Sequence, residues 1–519
     1  MVKFLFIFYF SFFIFHFSLP PAAFALENFT TAYDVTYTVN ENGITNAKFD
    51  VFLTNTSSKV YASSYKIILG FVNIANVSAY DPDGKINPRV ISTDNEVGIE
   101  LTFNKKVVGI NKKLPFTFSF DTTEVAQKQG EVFEINIPGI SKQNKFTDFK
   151  VHVKVPSSFG APSYIKPNIK TKNLDFTKEQ LGESGISIAF GNKQYYRFKL
   201  AYHLKNSHVF PIKTEIALPP KTGYQTVTIG NISPKPLNIR QDGDGNYLAQ
   251  YSLLPGKKID VIVTGRVQVV LKPKKETLSP QKTKQYLAQK PYWENSEKIK
   301  ELGQKLKTPR AIYQYVWQTL TYDFSRVINN SPRLGAKEVL LNPSSAVCLE
   351  FTDLFIAIAR SAGIPARELN GYAYTQNQKQ RPLSLVKDIL HAWPEYYDQQ
   401  QETWIMVDPT WANTTGGIDY FNTFDLDHIV FVIKGSQSDY PIPAGGYKPE
   451  GAENVKDVEV SFSDPFEPQV SEKIFADLPK SRSATTIITP AFLTNAGFTI
   501  IILIIATGTW YLLFYRRKR

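Results

Sequence analysis

The sequence contains one cysteine, Cys348, among 519 residues. A single thiol cannot form a disulfide within the chain, which excludes a small secreted domain held together by disulfides and also a cysteine-rich zinc protein. Histidines are scarce too, and His152, His203 and His208 have no companion ligands at the spacing of a zinc site. The sequence therefore predicts no zinc site, and the chemistry of a nucleophilic thiol needs neither a metal ion nor an organic cofactor.

The composition lacks a strong excess of polar or charged residues. Apolar residues make up 43% and charged residues 20%, which excludes a wholly disordered or collagen-like chain. Of the net charge of +12, one unit comes from Lys3 and four from residues 516–519. The remaining +7 has no basic face interleaved with aromatic residues. The sequence therefore predicts no nucleic-acid binding.

Both ends of the chain are apolar. Residues 1–25 combine Lys3, an apolar run and the small-x-small triplet Ala23-Phe24-Ala25, which predicts a signal peptide cleaved after Ala25, with an uncleaved anchor as the alternative. Residues 490–515 contain no charge and predict a transmembrane helix, and the basic residues 516–519 predict a cytoplasmic tail. The expected location is the plasma membrane, in a single pass with the N-terminal body outside the cytoplasm.

Residues 26–273 have the alternating pattern of β-strands. Tyr33, Val35 and Tyr37 alternate before an Asn42-Gly43 turn, which predicts a hairpin. Recurring short strands predict two all-β sandwich domains, 26–150 and 151–273, with a seam near 150–156, although one large sandwich is an alternative. The turn that begins at Asp242 lacks the later ligands of a calcium loop and is interpreted as a hairpin turn.

The composition changes after the β region. Residues 274–290 are rich in Lys, Gln, Thr and Pro and are interpreted as a linker. Helical periodicity begins after Thr308-Pro309, and an α+β domain is expected over 291–433. Residues 434–489 are rich in Pro, Gly, Ser and charge and are interpreted as a stalk, with a possible strand at Val458 to Phe462.

Cys348 precedes an apolar helical face that ends at Gly363 and Pro365, so it stands at a helix N-terminus. The peptide dipoles there favour a negative charge and predict a lowered thiol pKa, as a nucleophile needs. Glu350 and Asp353 lie in the first turn and oppose this effect. A small buried core cysteine is the alternative.

A histidine and an aspartate lie downstream in two predicted strands. If Tyr397 pairs with Glu402 across the polar turn 398–401, antiparallel counting places His391 opposite Asp408. A carboxylate there can hold the imidazole N–H, and the imidazole can take a proton from a nearby thiol. Cys348, His391 and Asp408 are therefore the candidate catalytic residues.

These residues resemble the transglutaminase-like superfamily over residues 291–433. The pattern consists of Ala346-Val347-Cys348, the helix end Ala359-Arg360-Ser361-Ala362-Gly363-Ile364-Pro365-Ala366-Arg367 with Gly371-Tyr372, then His391-Ala392-Trp393, and Trp404 with Val407-Asp408-Pro409-Thr410-Trp411. The resemblance implies a papain-like α+β fold with Cys348 as nucleophile, His391 as general base and Asp408 as the group that orients it.

Several positions near this pattern have no assigned role. Ala346 stands where the family often has glycine, which affects the approach to the thiol. The backbone N–H of Cys348 is the expected first oxyanion donor. The candidates for the second donor are Asn342, Ser344, Ser345 and Trp317. We expect a structural role for His428, and a place in the core and the cleft wall for Trp393, Trp404 and Trp411.

The predicted function is a cell-surface, cysteine-dependent acyl-transfer enzyme that acts through a thioester on protein or peptide substrates. Water as the acceptor would make it a protease, an amidase or a deamidase, whereas an amine would make it a crosslinker, and the sequence leaves this open. The alternative is a cell-surface adhesion or scaffold protein whose transglutaminase-like domain binds without catalysis. Replacing Cys348 would distinguish the two.

Overall fold

A computed structural model describes residues 28–92, 97–140, 146–171, 173–182, 185–328, 331–375, 382, 390–422, 424–447 and 456–467. The predicted signal peptide and C-terminal transmembrane helix lie outside these residues, and both stay predictions. Among the described residues, no helix is both long and apolar enough to cross a membrane.

The N-terminal β region begins with the predicted hairpin. Strands β1 (Phe29–Val39) and β2 (Thr45–Asn55) pair antiparallel, and alternate side chains are buried along both strands. Gly43 takes the left-handed conformation in the connecting turn, with φ of 84°. The alternating pattern of the sequence therefore predicts the buried face of this hairpin correctly.

The first β domain continues from this hairpin to Phe190. Its further elements are β3 (Ser64–Leu69), β4 (Ala75–Asp81), β5 (Gly84–Ile86), β6 (Arg89–Ser92), β7 (Val97–Thr102), β8 (Lys113–Thr122), β9 (Ala126–Gln129), β10 (Val132–Ile137), β11 (Phe146–Lys154), a 3₁₀ turn (Ser157–Phe159), β12 (Tyr164–Lys166), β13 (Asp175–Thr177), α1 (Lys178–Leu181) and β14 (Ile186–Phe190). They form sheets in the order β13-β11-β1-β2-β8-β4-β5, β12-β14-β10-β9 and β3-β7-β6, which share one apolar core.

The pairing of β11 corrects the expected domain seam. Residues 150–156 were expected to separate two sandwiches, but β11 lies beside β1 in parallel, with Val151 opposite Val35. Ile188 of β14 belongs to the same core. The first β domain therefore ends near residue 190, because a parallel partner for β1 has to come from a distant part of the chain, which local patterning does not reveal.

The second β domain combines residues 193–270 with a late strand. Its strands are β15 (Lys193–Lys205), β16 (Ile212–Leu218), β17 (Gln225–Ser233), β18 (Asn238–Gln241), β19 (Tyr247–Leu253), β20 (Lys258–Val270) and β25 (Val458–Phe462). The sheets have the orders β17-β20-β15-β25 and β16-β19-β18. The expected stalk is thus wrong for residues 456–467, since Val458 is buried in this domain and β25 pairs with β15. It is wrong for residues 434–447 as well, since Lys434 ends β24 (His428–Lys434) and Ala444 is buried in the same core.

The third domain is α+β. Its elements are α2 (Pro280–Leu287), α3 (Glu297–Leu306), α4 (Pro309–Thr319), α5 (Phe324–Ile328), α6 (Gly335–Leu341), α7 (Cys348–Ser361), β21 (Ala366–Ala373), β22 (His391–Asp398), β23 (Thr403–Met406), α8 (Pro409–Thr414) and β24 (His428–Lys434). The antiparallel sheet has the order β23-β22-β21-β24, and α7 packs against β21 and β22. Because α7 lies against this sheet, its first residue reaches the start of β22.

Helix α2 corrects the linker expected at 274–290. Ser279 caps the helix and Pro280 is its first residue, a local signal that the sequence carries. Tyr286 is fully buried, and its ring contacts Trp404 of β23 at a centroid distance of 5.1 Å. This segment is therefore part of the third domain.

One apolar core joins the three domains. It includes Tyr164 from the first β domain, Tyr196 from the second and Leu426 from the third, and the hydroxyl of Tyr196 donates to the carbonyl of Leu426 at 2.9 Å. The Asp242 turn is the hairpin turn expected between β18 and β19, and Asp244 within it accepts from the N–H of Gly435 at 3.1 Å. The β domains thus form part of the scaffold of the third domain.

The strand β25 gives a test of this arrangement. We expect Val458→Asp to lower the free energy of unfolding by roughly 3 kcal/mol, because it buries an unpaired charge in the second β domain. Glu459→Ala, on the opposite face of the same strand, should change it by less than about 0.5 kcal/mol. Urea unfolding followed by tryptophan fluorescence measures both. Equal effects of the two changes would contradict the placement of β25.

Candidate active site

Cys348 is the first residue of α7. Glu350 caps the N-terminus of this helix. Its carboxylate accepts a hydrogen bond from the backbone N–H of Val347 at 2.9 Å and another from that of Leu334 at 2.8 Å. The helix is buried along most of its length, and Cys348 itself is 1% exposed. The helix N-terminus predicted from the sequence is therefore present, but it lies inside the domain.

The environment of the thiol differs from the expectation of a lowered pKa. Burial raises the pKa of the Cys348 thiol well above its ordinary value, although the backbone N–H groups of Ala392 and Leu349 donate toward the sulfur. The negative charges of Glu350 and Asp408 act in the same direction as burial. Burial therefore favours the protonated thiol over the thiolate.

Two acidic residues near the start of α7, Glu350 in its first turn and Asp353 in its second, are each held by an arginine. Glu350 lies 3.3 Å from Arg326, and Asp353 forms an ion pair with Arg333. Asp353 also accepts from the indole N–H of Trp293 at 2.8 Å. These partners account for the burial of two carboxylates beside a nucleophile, because unpaired charges would be too costly there.

The structure brings His391 and Asp408 together. The Nε2 of His391 lies 2.9 Å from Oδ2 of Asp408, and both side chains are fully buried. The other carboxylate oxygen of Asp408 accepts from the backbone N–H of Trp411 at 2.9 Å and so caps α8. The orientation of Asp408 is therefore fixed by the helix that it begins.

The strand register differs from the predicted one by two residues. Tyr397 pairs with Trp404, not with Glu402. The carboxylate of Asp398 accepts from the N–H groups of Gln400 and Gln401, and Glu402 takes a positive φ of 53° within the turn. Asp408 consequently lies beyond β23, and it reaches His391 as a helix cap and not as a directly opposed strand residue.

The hydrogen bond fixes the tautomer of His391. Asp408 accepts the proton on Nε2, which leaves the lone pair on Nδ1, and within the described part of the chain Nδ1 is buried without a hydrogen-bond partner. Burial lowers the pKa of His391, with Asp408 opposing it. Burial raises the pKa of Asp408, but His391 and His428 outweigh it and bring that pKa to about 2. Burial therefore favours a neutral imidazole at His391, beside the ionised carboxylate of Asp408.

A second imidazole contacts the same carboxylate. His428, the first residue of β24, places its Nε2 3.5 Å from Oδ2 of Asp408, and its Nδ1 lies 2.6 Å from Asp425. Burial opposes its charge, but Asp425 and Asp408 outweigh burial and raise the pKa of His428 to about 9. The sequence predicts a structural role for His428, and no local pattern in it indicates this contact with Asp408.

Aromatic rings enclose both imidazoles. Trp411 and Trp393 flank His391 at centroid distances of 5.3 and 5.8 Å, and both are fully buried. His428 lies 4.5 Å from the ring of Phe424 and 4.6 Å from that of Trp411. Rings of this kind stabilise a cation and exclude water. They line the site, as expected for Trp393 and Trp411.

By distance alone, three of these side chains could hold a metal ion. The ligand atoms of His391, Asp408 and His428 lie within 4.8 Å of one another. However, Nδ1 of His428 bonds to Asp425, and the ammonium of Lys166 lies 3.6 Å from that carboxylate. A further cation would meet a protonated imidazole here, so we assign these residues to a cluster of paired charges.

Tyr322 is a residue of the site that the sequence analysis missed. Its hydroxyl is buried and has no hydrogen-bond partner among the described residues. Burial raises the pKa of Tyr322 strongly, and the nearby Cys348 acts in the same direction. The backbone of Tyr322 forms a parallel bridge with Ala346, two residues before the thiol. No local sequence pattern marks this position, since it depends on that bridge.

The expected candidates for the second oxyanion donor make other contacts. The backbone N–H of Ser345 donates to the carbonyl of Asn342 in the turn before α7. The carbonyl of Trp317 accepts from Asn413. These are backbone contacts, so the second oxyanion donor among Asn342, Ser344, Ser345 and Trp317 stays a prediction.

Comparison with known proteins identifies the third domain. Residues 295–409 match the family model described as the transglutaminase-like superfamily, which confirms the resemblance. A curated protein-glutamine gamma-glutamyltransferase from Pseudomonas aeruginosa is 30% identical over 115 residues. That alignment covers 21% of this chain and 17% of the relative. The chain thus carries a transglutaminase-like domain and matches less than a fifth of that relative's length.

Two solved structures are similar at a greater distance. A proposed cysteine protease from Cytophaga hutchinsonii has 18% identity and a TM-score of 0.32, and the match covers 53% of this chain and 99% of that one. The periplasmic domain of TgpA from Pseudomonas aeruginosa, bound to ethylmercury, has 15% identity and a TM-score of 0.26, with 43% and 91% covered. The matched family supports a cysteine-type enzyme in general terms.

The charge on His428 gives a prediction for stability against pH. Its folded pKa of about 9 lies above the ordinary 6.5, so its contribution is complete below pH 6.5 and is lost as the pH rises through 9. We expect His428→Gln to cost about 3 kcal/mol more at pH 6 than at pH 10, because glutamine is neutral at both. Urea unfolding at the two pH values measures the difference, and an equal cost at both would refute a charged His428.

Proposed function

We propose that this chain is an exported, membrane-anchored cysteine enzyme that transfers acyl groups through a thioester on Cys348. The observation that carries the proposal is the 2.9 Å contact between His391 and Asp408, which leaves Nδ1 of His391 as a proton acceptor in the segment that contacts the Cys348 sulfur. The match of residues 295–409 to the transglutaminase-like superfamily supports the same chemistry.

The first half of the reaction forms the thioester. As the sulfur of Cys348 attacks the carbonyl carbon of a carboxamide or peptide, Nδ1 of His391 takes the thiol proton, because both groups are uncharged at rest. The C–N bond then breaks, and His391 returns the proton to the leaving ammonia or amine. Asp408 stays ionised and stabilises the imidazolium between these two steps.

The second half of the reaction releases the acyl group. Water or a primary amine attacks the thioester carbonyl and gives its proton to His391, and the C–S bond breaks to restore the thiol. Hydrolysis yields an acid, whereas an amine yields a new amide bond. The related protein from Pseudomonas aeruginosa is named a protein-glutamine gamma-glutamyltransferase, which supports a glutamine donor and an amine acceptor for this chain.

We propose two hydrogen-bond donors for the oxyanion that forms in each half of the reaction. The backbone N–H of Cys348 lies in the first turn of α7, where the helix dipole favours a negative charge. The buried hydroxyl of Tyr322 is the second donor, since it lies near the thiol and has no other hydrogen-bond partner among the described residues. A buried hydroxyl without a partner is costly unless a ligand supplies one.

We propose the cell surface as the place of action, with protein or peptide substrates. Residues 1–25 and 490–515 support export and anchoring through their apolar sequences. The alternative, a binding domain without catalysis, is favoured by the small exposed fraction of Cys348, which is 1%. The paired His391 and Asp408 favour the enzyme, because a binding surface does not need a buried dyad.

The proposed reaction can be tested with the full-length chain in membranes. We expect incorporation of a fluorescent primary amine into a glutamine-rich acceptor protein, or release of ammonia or peptide fragments when water is the acceptor. Cys348→Ala and His391→Ala should reduce either product by about a thousandfold. His208→Ala, which alters an exposed histidine, is the matched control. Wild-type protein that yields none of these products would favour the binding domain.

The role of Tyr322 has its own prediction. Tyr322→Phe should lower kcat by about a hundredfold, since it removes one oxyanion donor. Alkylation of Cys348 by iodoacetamide should keep its wild-type rate, because that reaction forms no oxyanion. Tyr315→Phe, a half-buried tyrosine of α4, serves as the control. A parallel loss of turnover and alkylation in Tyr322→Phe would indicate a structural role instead.

A further inference from the structure

Five buried side chains form a line from the first β domain to the candidate base. In order they are Lys166, Asp425, His428, Asp408 and His391, and we call them the charge chain. Every exposed fraction in the charge chain is 3% or less. The family match ends at residue 409, so Lys166, Asp425 and His428 lie outside it.

Lys166 is the outer end of the charge chain. It is the last residue of β12, in the first β domain, and its Nζ lies 3.6 Å from a carboxylate oxygen of Asp425 in the third domain. The same ammonium lies 3.9 Å from the centre of the Tyr420 ring and 4.8 Å from that of Tyr164. A lysine buried to this degree has to be paired, because an isolated charge would lose its proton.

The contacts continue without interruption to His391. Asp425 lies 2.6 Å from Nδ1 of His428, and Nε2 of His428 lies 3.5 Å from Asp408, which in turn lies 2.9 Å from His391. The charges alternate along this line. Within these five side chains two cations and two anions alternate when His391 is neutral, so each charge lies beside one of opposite sign.

We propose that Lys166 is a positioning residue of the active site, by which the first β domain holds Asp425, His428 and Asp408 in place and keeps His391 uncharged. This inference rests on the proposed function, because it assigns Lys166 to the reaction of the same site. It goes beyond a salt bridge between domains, since Lys166 acts on the base through three intervening side chains, Asp425, His428 and Asp408, and does not touch the reacting atoms.

The charged groups around the charge chain determine whether loss of the Lys166 charge favours or disfavours a proton on His391. Lys166 faces Asp425, Tyr420 and Tyr164, and His428 faces Asp425 and Asp408. His391 faces Asp408 and the second imidazole, with Cys348 beside the next residue of β22. When the charge of Lys166 is removed, the cluster becomes net negative, and a proton on His391 is then favoured. His391 would become available as a base only at higher pH.

The test measures the rate of Cys348 alkylation by iodoacetamide against pH, with full-length protein. We expect the acid limb of Lys166→Met to move to higher pH by about one unit, which at a pH on that limb is a tenfold loss of rate. Lys166→Arg, which keeps the charge, should return the limb to its wild-type position. Lys166→Gln, which is polar and uncharged, should shift the acid limb as Lys166→Met does. It replaces Lys166→Met in the test if the methionine variant does not fold.

Lys434→Met is the matched control, because Lys434 is also a buried lysine paired with a carboxylate, Glu368, but does not belong to the charge chain. It should lower stability and leave the acid limb in place. If the uncharged Lys166 variants lower stability and keep the wild-type limb, Lys166 only joins two domains and the inference is overturned. If wild-type alkylation is independent of His391, the proposed function fails, and the inference fails with it.

Discussion

The hydrogen bond between His391 and Asp408 is the contact on which the rest of the site depends. One carboxylate oxygen of Asp408 caps α8 and the other holds Nε2 of His391, so the helix and the imidazole share a single anchor. This bond assigns the proton to Nε2 and leaves Nδ1 free. Packing of α7 against β22 then brings Cys348 to the backbone of Ala392. The packing of α7 on the sheet therefore determines where the nucleophile lies.

Because the site is buried, its ionisable groups are either neutral or paired with an opposite charge. Burial favours an uncharged thiol and a neutral imidazole. Three acids near them each have a cationic partner: Arg326 for Glu350, Arg333 for Asp353 and His428 for Asp408. Pairing of this kind stabilises a folded state only when every member is present, since a lone buried charge costs several kcal/mol. The same low polarity strengthens any hydrogen bond to an oxyanion.

The sequence alone predicted what depends on local pattern or on a short loop. The β1–β2 hairpin, the start of α7 and the pairing of His391 with Asp408 follow from alternation, helix signals and a four-residue turn. The register of that turn was wrong by two residues because the side chain of Asp398 shapes it. The raised pKa of Cys348, the parallel partner of β1 and the contact of Lys166 with Asp425 depend on long-range packing, which no local pattern encodes.

The return of β25 to β15 has a consequence for the order of folding. Arg197 and Ser461, which bond across these strands, are separated by 264 residues, and the whole transglutaminase-like domain lies between them. A chain that emerges from its N-terminus cannot complete the second β domain until the third has been synthesised. Contacts of such sequence separation form late. Pairing of β25 with β15 therefore completes the second β domain late in folding. A chain truncated before residue 458 would leave one edge of β15 without a partner strand.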